Sequence, residues 1–305
     1  MGKLIISYDC EGIWGRMDKI ESLDKKIFNR NALMRLYQEL LVIHEKYNLK
    51  ATFAFVGGFI SSKEEFLEAF NKYPGAEAVN RWCKPLINSD NQFTEKDFFI
   101  PEVLDMVKKS FINHEIAFHG FSHVIMDKEI DKASIDFEVF GLNQIKKTKK
   151  INIKTISFPR NIVNKKFLEN AKIFKGYRAP PYSPFKNNII KRIYSLLKEL
   201  VPICFSEKMY KSKEITIIPG GFFINWRFGL RKYIPVWLTI LRFRSALKHA
   251  CKTNGIVHIF AHPHNLATGH NQKELLERMF IEVNNFKKNQ SLIVCTQEEI
   301  LSNLK

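Results

Sequence analysis

Asp9 and Glu11 stand two residues apart where a short apolar run, Leu4-Ile5-Ile6-Ser7-Tyr8, gives way to Gly12. Two carboxylates at one strand-to-loop junction can both point into a site, and in parallel α/β folds the carboxyl ends of strands collect functional groups. A second junction follows Glu115-Ile116-Ala117-Phe118 and delivers His119-Gly120-Phe121-Ser122-His123. Imidazoles four residues apart converge on one metal ion when the backbone between them makes a helical turn. The third element is Gly176-Tyr177-Arg178-Ala179-Pro180-Pro181-Tyr182, where a guanidinium able to hold a carboxylate ionised and oriented precedes a stiff Pro-Pro wall with an aromatic ring. The fourth, Val257-His258-Ile259-Phe260-Ala261-His262-Pro263-His264, reads as a strand ending in histidine. Alternation puts His258 and His262 on one face, and His262, nearer the strand end, is the stronger candidate. Taken singly, these elements read equally well as a loop acid, satisfied core histidines and a proline-rich turn; their specificity lies in the company they keep.

The elements that would position these residues alternate from end to end. Brief apolar runs at residues 3–8, 51–56, 115–118, 155–158, 203–205, 215–218, 256–261 and 292–295 predict buried parallel strands. Between them, helical spacing links Leu33, Leu36, Tyr37, Leu40 and Leu41. It also links Val103, Met106 and Val107 behind Pro101 at a first-turn position, and Ile130, Ala133, Phe137, Phe140 and Ile145. This rhythm of βα units predicts one barrel-like α/β domain over residues 1–305. An irregular inserted loop is expected around 73–98 and a basic, aromatic helical segment around 226–248.

The four elements, in this order, resemble the polysaccharide deacetylases, the NodB-homology or carbohydrate esterase family 4 domain, over nearly the whole chain. Members whose first motif is Asp-x-Glu followed by Trp-Gly are particularly similar, matching Asp9-Cys10-Glu11 and Trp14-Gly15. Lys50-Ala51-Thr52-Phe53-Ala54-Phe55-Val56-Gly57, His114-Glu115-Ile116 and Ser157-Phe158-Pro159-Arg160-Asn161 resemble further stretches of that subgroup, whose members act in building capsules and lipopolysaccharides. The resemblance implies a distorted (β/α)7 barrel. It implies that Asp9 is the general base, that Glu11, His119 and His123 hold the metal, that Arg178 orients Asp9 and that His262 protonates the leaving amine. Zinc is the expected ion, with cobalt, nickel, manganese or iron(II) as substitutes. Pro181 lacks the N–H that relatives aim at the oxyanion, so Tyr182 would supply it; Pro180, Trp14 and Phe222 complete the expected substrate wall.

The implied chemistry is coherent in itself. A cation with three protein ligands keeps positions open for water and a carbonyl, while a base takes the water proton and an acid protonates nitrogen, because an amine anion leaves poorly. The expected activity is removal of an N-acetyl group from an amino sugar in a capsule, O-antigen or lipid A context. A deformylase or deacylase of a lipid-linked or nucleotide-linked amino sugar, and an inactive glycan-binding barrel, are the alternatives.

Composition bounds the rest. At 45% hydrophobic and 26% charged residues the chain matches a globular protein, and disorder is excluded. Met1-Gly2-Lys3 runs straight into the first apolar stretch, and five scattered cysteines form no C-x-x-C pair, so a cytoplasmic location is expected, peripheral to the inner face of the membrane. The net charge is +17, and residues 215–273 hold eight lysines and arginines and no acid. That predicts an anionic partner such as a lipid surface; the 226–248 segment reads equally as an interfacial helix lying on it or as a barrel helix with a cationic outer face, and nucleic acid is not expected.

Overall fold

The computed structural model describes residues 1–21, 24–87, 93–185, 188–212, 215–289 and 291–302. Ten strands form one sheet: β1 (Gly2–Cys10), β2 (Thr52–Phe55), β3 (Glu115–Phe118), β4 (Thr155–Ile156), β5 (Gly176–Arg178), β6 (Tyr210–Ser212), β7 (Ile215–Ile218), β8 (Phe222–Phe223), β9 (Ile256–Ala261) and β10 (Leu292–Cys295). Their order is β6-β7-β5-β4-β3-β2-β1-β9-β8, with β10 also on β1. All pairings are parallel except the β6–β7 hairpin. The longest strand, β1, is central. Ser7 to Cys10 pair with β2, Gly2 to Ile5 with β10, and β9 covers the opposite edge. Buried on both faces, β1 and β9 read as continuous apolar runs because neither face meets water.

The sheet curls until its two ends meet. β7, next to one end of the order, and β8, at the other, are joined by only Pro219-Gly220-Gly221, a length that spans about 14 Å at most. The barrel is therefore closed by a chain seam where a ladder would otherwise run. The seam is crowded. A Cβ on Gly220 would collide with the carbonyls of Ala179 and Pro180, and one on Gly221, at φ +63°, with the carbonyl of His258. Glycine is the residue type that passes this gap and also adopts that dihedral without strain.

Helices pack outside. Arg30–Tyr47 is capped by Asn29 and ends at Asn48 in the left-handed conformation. Lys132–Thr148 is capped by Asp131, whose side chain accepts from the Ser134 N–H, and Pro101 immediately precedes Glu102–Lys109. The fold is the expected distorted barrel, and three expectations are corrected. Residues 203–205 form no strand; the nearest pairing is a single bridge from Glu207 to Ile256. The 73–98 insertion is built of short helices, Glu77–Trp82, Lys84–Ile87 and Glu95–Phe98, while residues 88–92 lie outside the described residues. The 226–248 stretch is not one helix: a 3-10 turn at Gly229–Tyr233 precedes a helix over Val236–Thr253, whose apolar face packs on β1. Among the described residues no helix is long and apolar enough to cross a membrane.

Candidate active site

The carboxyl ends of β1, β3, β5 and β9 open into a cavity of about 750 Å³, lined among others by Asp9, Glu11, His119, His123 and His262. Arg178, at the end of β5, is fully buried and grips Asp9 with two parallel hydrogen bonds, Nη1 to Oδ1 at 2.8 Å and Nη2 to Oδ2 at 2.7 Å. Nη2 also donates to Asn161 Oδ1 at 3.0 Å, and the guanidinium lies 4.1 Å from the Phe260 ring centroid. Held on two edges and one face, Arg178 has a single orientation. Burial alone would raise the pKa of Asp9; Arg178, with help from His119 and His262, outweighs it and keeps the carboxyl at about 2.

Glu11 faces the histidines. One oxygen, Oε2, is 2.9 Å from His123 Nε2 and 3.5 Å from His119 Nε2, while Oε1 is 3.5 Å from His262 Nε2. Burial opposes its charge, yet the surrounding imidazoles hold its pKa well below the usual carboxylate range. His262 Nε2 is 3.9 Å from Asp9 Oδ2, and its ring meets Phe223 edge-on and stacks on His264 with centroids 5.1 Å apart. His258 does not join them. Its Nδ1 donates to the Pro219 carbonyl at 2.6 Å and its Nε2 meets Ser7 Oγ at 2.8 Å, so it is a satisfied core histidine that burial holds neutral, with a pKa of about 3.

The His119-to-His123 loop is not the helical turn expected of that spacing. Gly120 (φ +81°) and His123 (φ +64°) both take left-handed conformations and fold the loop back on itself. Glu138, fully buried on the Lys132–Thr148 helix, holds it there by accepting from the N–H groups of Phe121 and Ser122. Phe121 is the plug. Its ring fills a slot so tight that a Cβ on Gly57 or Gly141 would collide with it.

A divalent cation fits the Glu11, His119 and His123 cluster. Their ligand atoms all lie within 4.8 Å of one another. His119 Nδ1 donates to the Ser157 carbonyl at 2.7 Å, which leaves Nε2 as the lone-pair nitrogen turned to Glu11. Both nitrogens of buried His123 lack a hydrogen-bond partner, a cost that a bound cation would remove at the nitrogen facing Glu11.

Trp14 requires a correction. The indole is fully buried, its Nε1 donates to the Phe98 carbonyl at 2.8 Å, and it lies outside the cavity wall, so it anchors the loop after β1 and does not line a substrate site. Its neighbour Gly15 is the one that borders the cavity, where a Cβ would collide with the Glu11 carboxylate. Gly15→Ala should therefore leave the fold intact and weaken metal binding by about 10–100-fold, read by calorimetric titration of the metal-free protein. Pro180 is exposed and turned from the cavity; Pro181 takes its place in the wall, beside Tyr182 at the mouth and Phe222 deeper in. Asn161 and Glu138 escaped the sequence reading as site residues. Asn161 sits within the quoted Ser157–Asn161 motif, and Glu138 is an acid on an otherwise apolar helix face, a signal that was available.

No family model and no curated protein sequence matches the chain. Solved structures do. One is a Mycobacterium smegmatis protein described as a polysaccharide deacetylase, at 11% identity and TM-score 0.61, with 99% of this chain and 89% of that one aligned. Another, from Pseudomonas aeruginosa PAO1 and described in the same way, gives 10% identity and TM-score 0.62 over 98% and 89%. At such identities the likeness carries the fold: the chain is built as the polysaccharide deacetylases are.

Proposed function

We propose that this protein is a metal-dependent amidohydrolase that removes an N-acetyl group from an amino sugar during synthesis of a surface glycan. One observation carries the reading: a carboxylate clamped by arginine and the His262 imidazole, 3.9 Å from it, flank a Glu-His-His cluster inside one cavity. Glu11, His119 and His123 would hold the cation, zinc by the mixture of imidazole and carboxylate donors, which supplies Lewis-acid polarisation and a more acidic water. Asp9 is ionised at neutral pH and accepts the proton of the attacking water. His262, half-buried across the cluster, delivers a proton to the departing nitrogen. The Tyr182 N–H supports the oxyanion, and Phe222 and Phe223 wall the sugar. Five unpaired thiols support a cytoplasmic site of action.

Mass spectrometry of lipid-linked and nucleotide-linked N-acylated amino sugars, incubated with zinc-loaded protein, tests the proposal. Acetate release supports it; formate release transfers the activity to a deformylase, and metal uptake without turnover of any substrate leaves a glycan-binding barrel.

The role of Arg178 has its own signature. In Arg178→Met burial is no longer offset, so the Asp9 pKa rises from about 2. A base acts deprotonated, so activity is lost as pH falls through that pKa, and the acid limb of kcat/KM should move upward by about 1–3 pH units. A limb that stays in place would remove Asp9 from the role of base.

A further inference from the structure

The Asn188–Glu199 helix is amphipathic in the inverted sense. At about 100° per residue, Tyr194, Ser195, Lys198 and Glu199 share one face, and all four line the cavity. Ile193 and Leu197 lie on the opposite face, and Leu200 and Val201, in the turn that closes the helix, continue their row. These apolar side chains are about half exposed, from 48 to 56%. A helix of a water-soluble domain buries its apolar stripe and offers its polar one to solvent; here the polar stripe faces the site and the apolar stripe faces outward.

The neighbouring segment extends this surface. Arg231, in the Gly229–Tyr233 turn, donates to Glu199 Oε1 at 2.8 Å and to Ser195 Oγ at 3.3 Å, which ties that turn to the helix. The tie leaves Leu230 and Tyr233 above 70% exposed, with Lys232 over the Tyr233 ring at 4.9 Å and Trp237 exposed a turn further on. Aliphatic side chains beside tyrosine, tryptophan and lysine make the composition of a bilayer interface, where the rings straddle apolar and wet layers and the cation meets headgroups. The net charge of +17 favours an anionic leaflet.

We infer that the outward face of the Asn188–Glu199 helix, together with the Gly229–Tyr233 turn and Trp237, seats the protein on an anionic membrane with the cavity mouth at the lipid headgroups. The amphipathic device expected at residues 226–248 thus lies chiefly in the helix before it. The inference holds whether or not the site hydrolyses an amide, because the docking face and the site are opposite sides of one helix.

Co-sedimentation with vesicles tests it. Full-length protein should pellet with phosphatidylcholine vesicles containing phosphatidylglycerol at low salt and stay in solution with pure phosphatidylcholine. Ile193→Glu/Leu197→Glu should reduce the bound fraction at least 10-fold, with an unchanged melting temperature and unchanged metal content. Brominated acyl chains should quench tryptophan fluorescence in the wild type, and the quenching should be lost in Trp237→Phe. Absence of wild-type binding to anionic vesicles overturns the inference. So does a dimer in solution that the double variant dissociates, since a second copy would then cover the face.

Discussion

Asp9→Asn is expected to lose about 10³-fold in kcat while keeping its metal, the signature of a missing base in an intact site. The substitution removes charge without removing shape. Asn retains one acceptor for Arg178 Nη1 or Nη2, and it stands apart from the Glu11, His119 and His123 cluster. It also leaves a fully buried guanidinium facing two neutral amides, the introduced Asn and Asn161, and no carboxylate. Removing one partner of a buried pair costs about 3–5 kcal/mol, so the melting temperature should fall together with activity. Full metal content, lost turnover and reduced stability form the expected triple result, measured by elemental analysis, acetate release and calorimetry. Turnover within a few-fold of wild type would remove Asp9 from the chemistry.

His119→Ala should give the reverse pattern, with metal content falling from one equivalent to near none. The His119 ring is fixed by the Ser157 carbonyl, and His258, engaged with Ser7 and Pro219, cannot replace it. Because a cation that binds only the folded state stabilises it in proportion to its affinity, a chelator should lower the wild-type melting temperature and leave that of His119→Ala unmoved. This readout needs no substrate. Equal sensitivity of both proteins to chelator would show that the cation binds elsewhere.

The sequence made the chemistry easier to see than its supports. Strand ends could be read because β1, β3 and β9 are apolar runs halted by Asp, His and His. The three-residue β5 could not, since Gly176-Tyr177-Arg178 has no alternation to detect; its pairing comes from β4 and β7 on either side. The H-x-x-x-H spacing suggested a helical turn, but convergence in fact depends on Gly120 in a left-handed conformation and on a carboxylate seventeen residues away on another element. Trp14, expected in a substrate wall, is a core residue instead. The dipeptide divides its labour: Trp14 holds the core and Gly15 clears space for Glu11. Such space-clearing roles, like those of Gly57 and Gly141 around Phe121, depend on what sits across the gap and so are invisible along one chain.

The seam at Pro219-Gly220-Gly221 divides the site between two supports within one barrel. Every group assigned to proton transfer or metal binding lies in or just after a strand of the uninterrupted run β5-β4-β3-β2-β1-β9, where a shift in one strand drags its neighbours. The aromatic wall of Phe222, Trp226 and Phe228 descends from the seam, which is tethered to that run through the short β8. Substitutions there can reshape what the cavity admits while the reactive groups stay in register, so the shape of the cavity can change in this architecture without disturbing Asp9, Glu11 and the histidines.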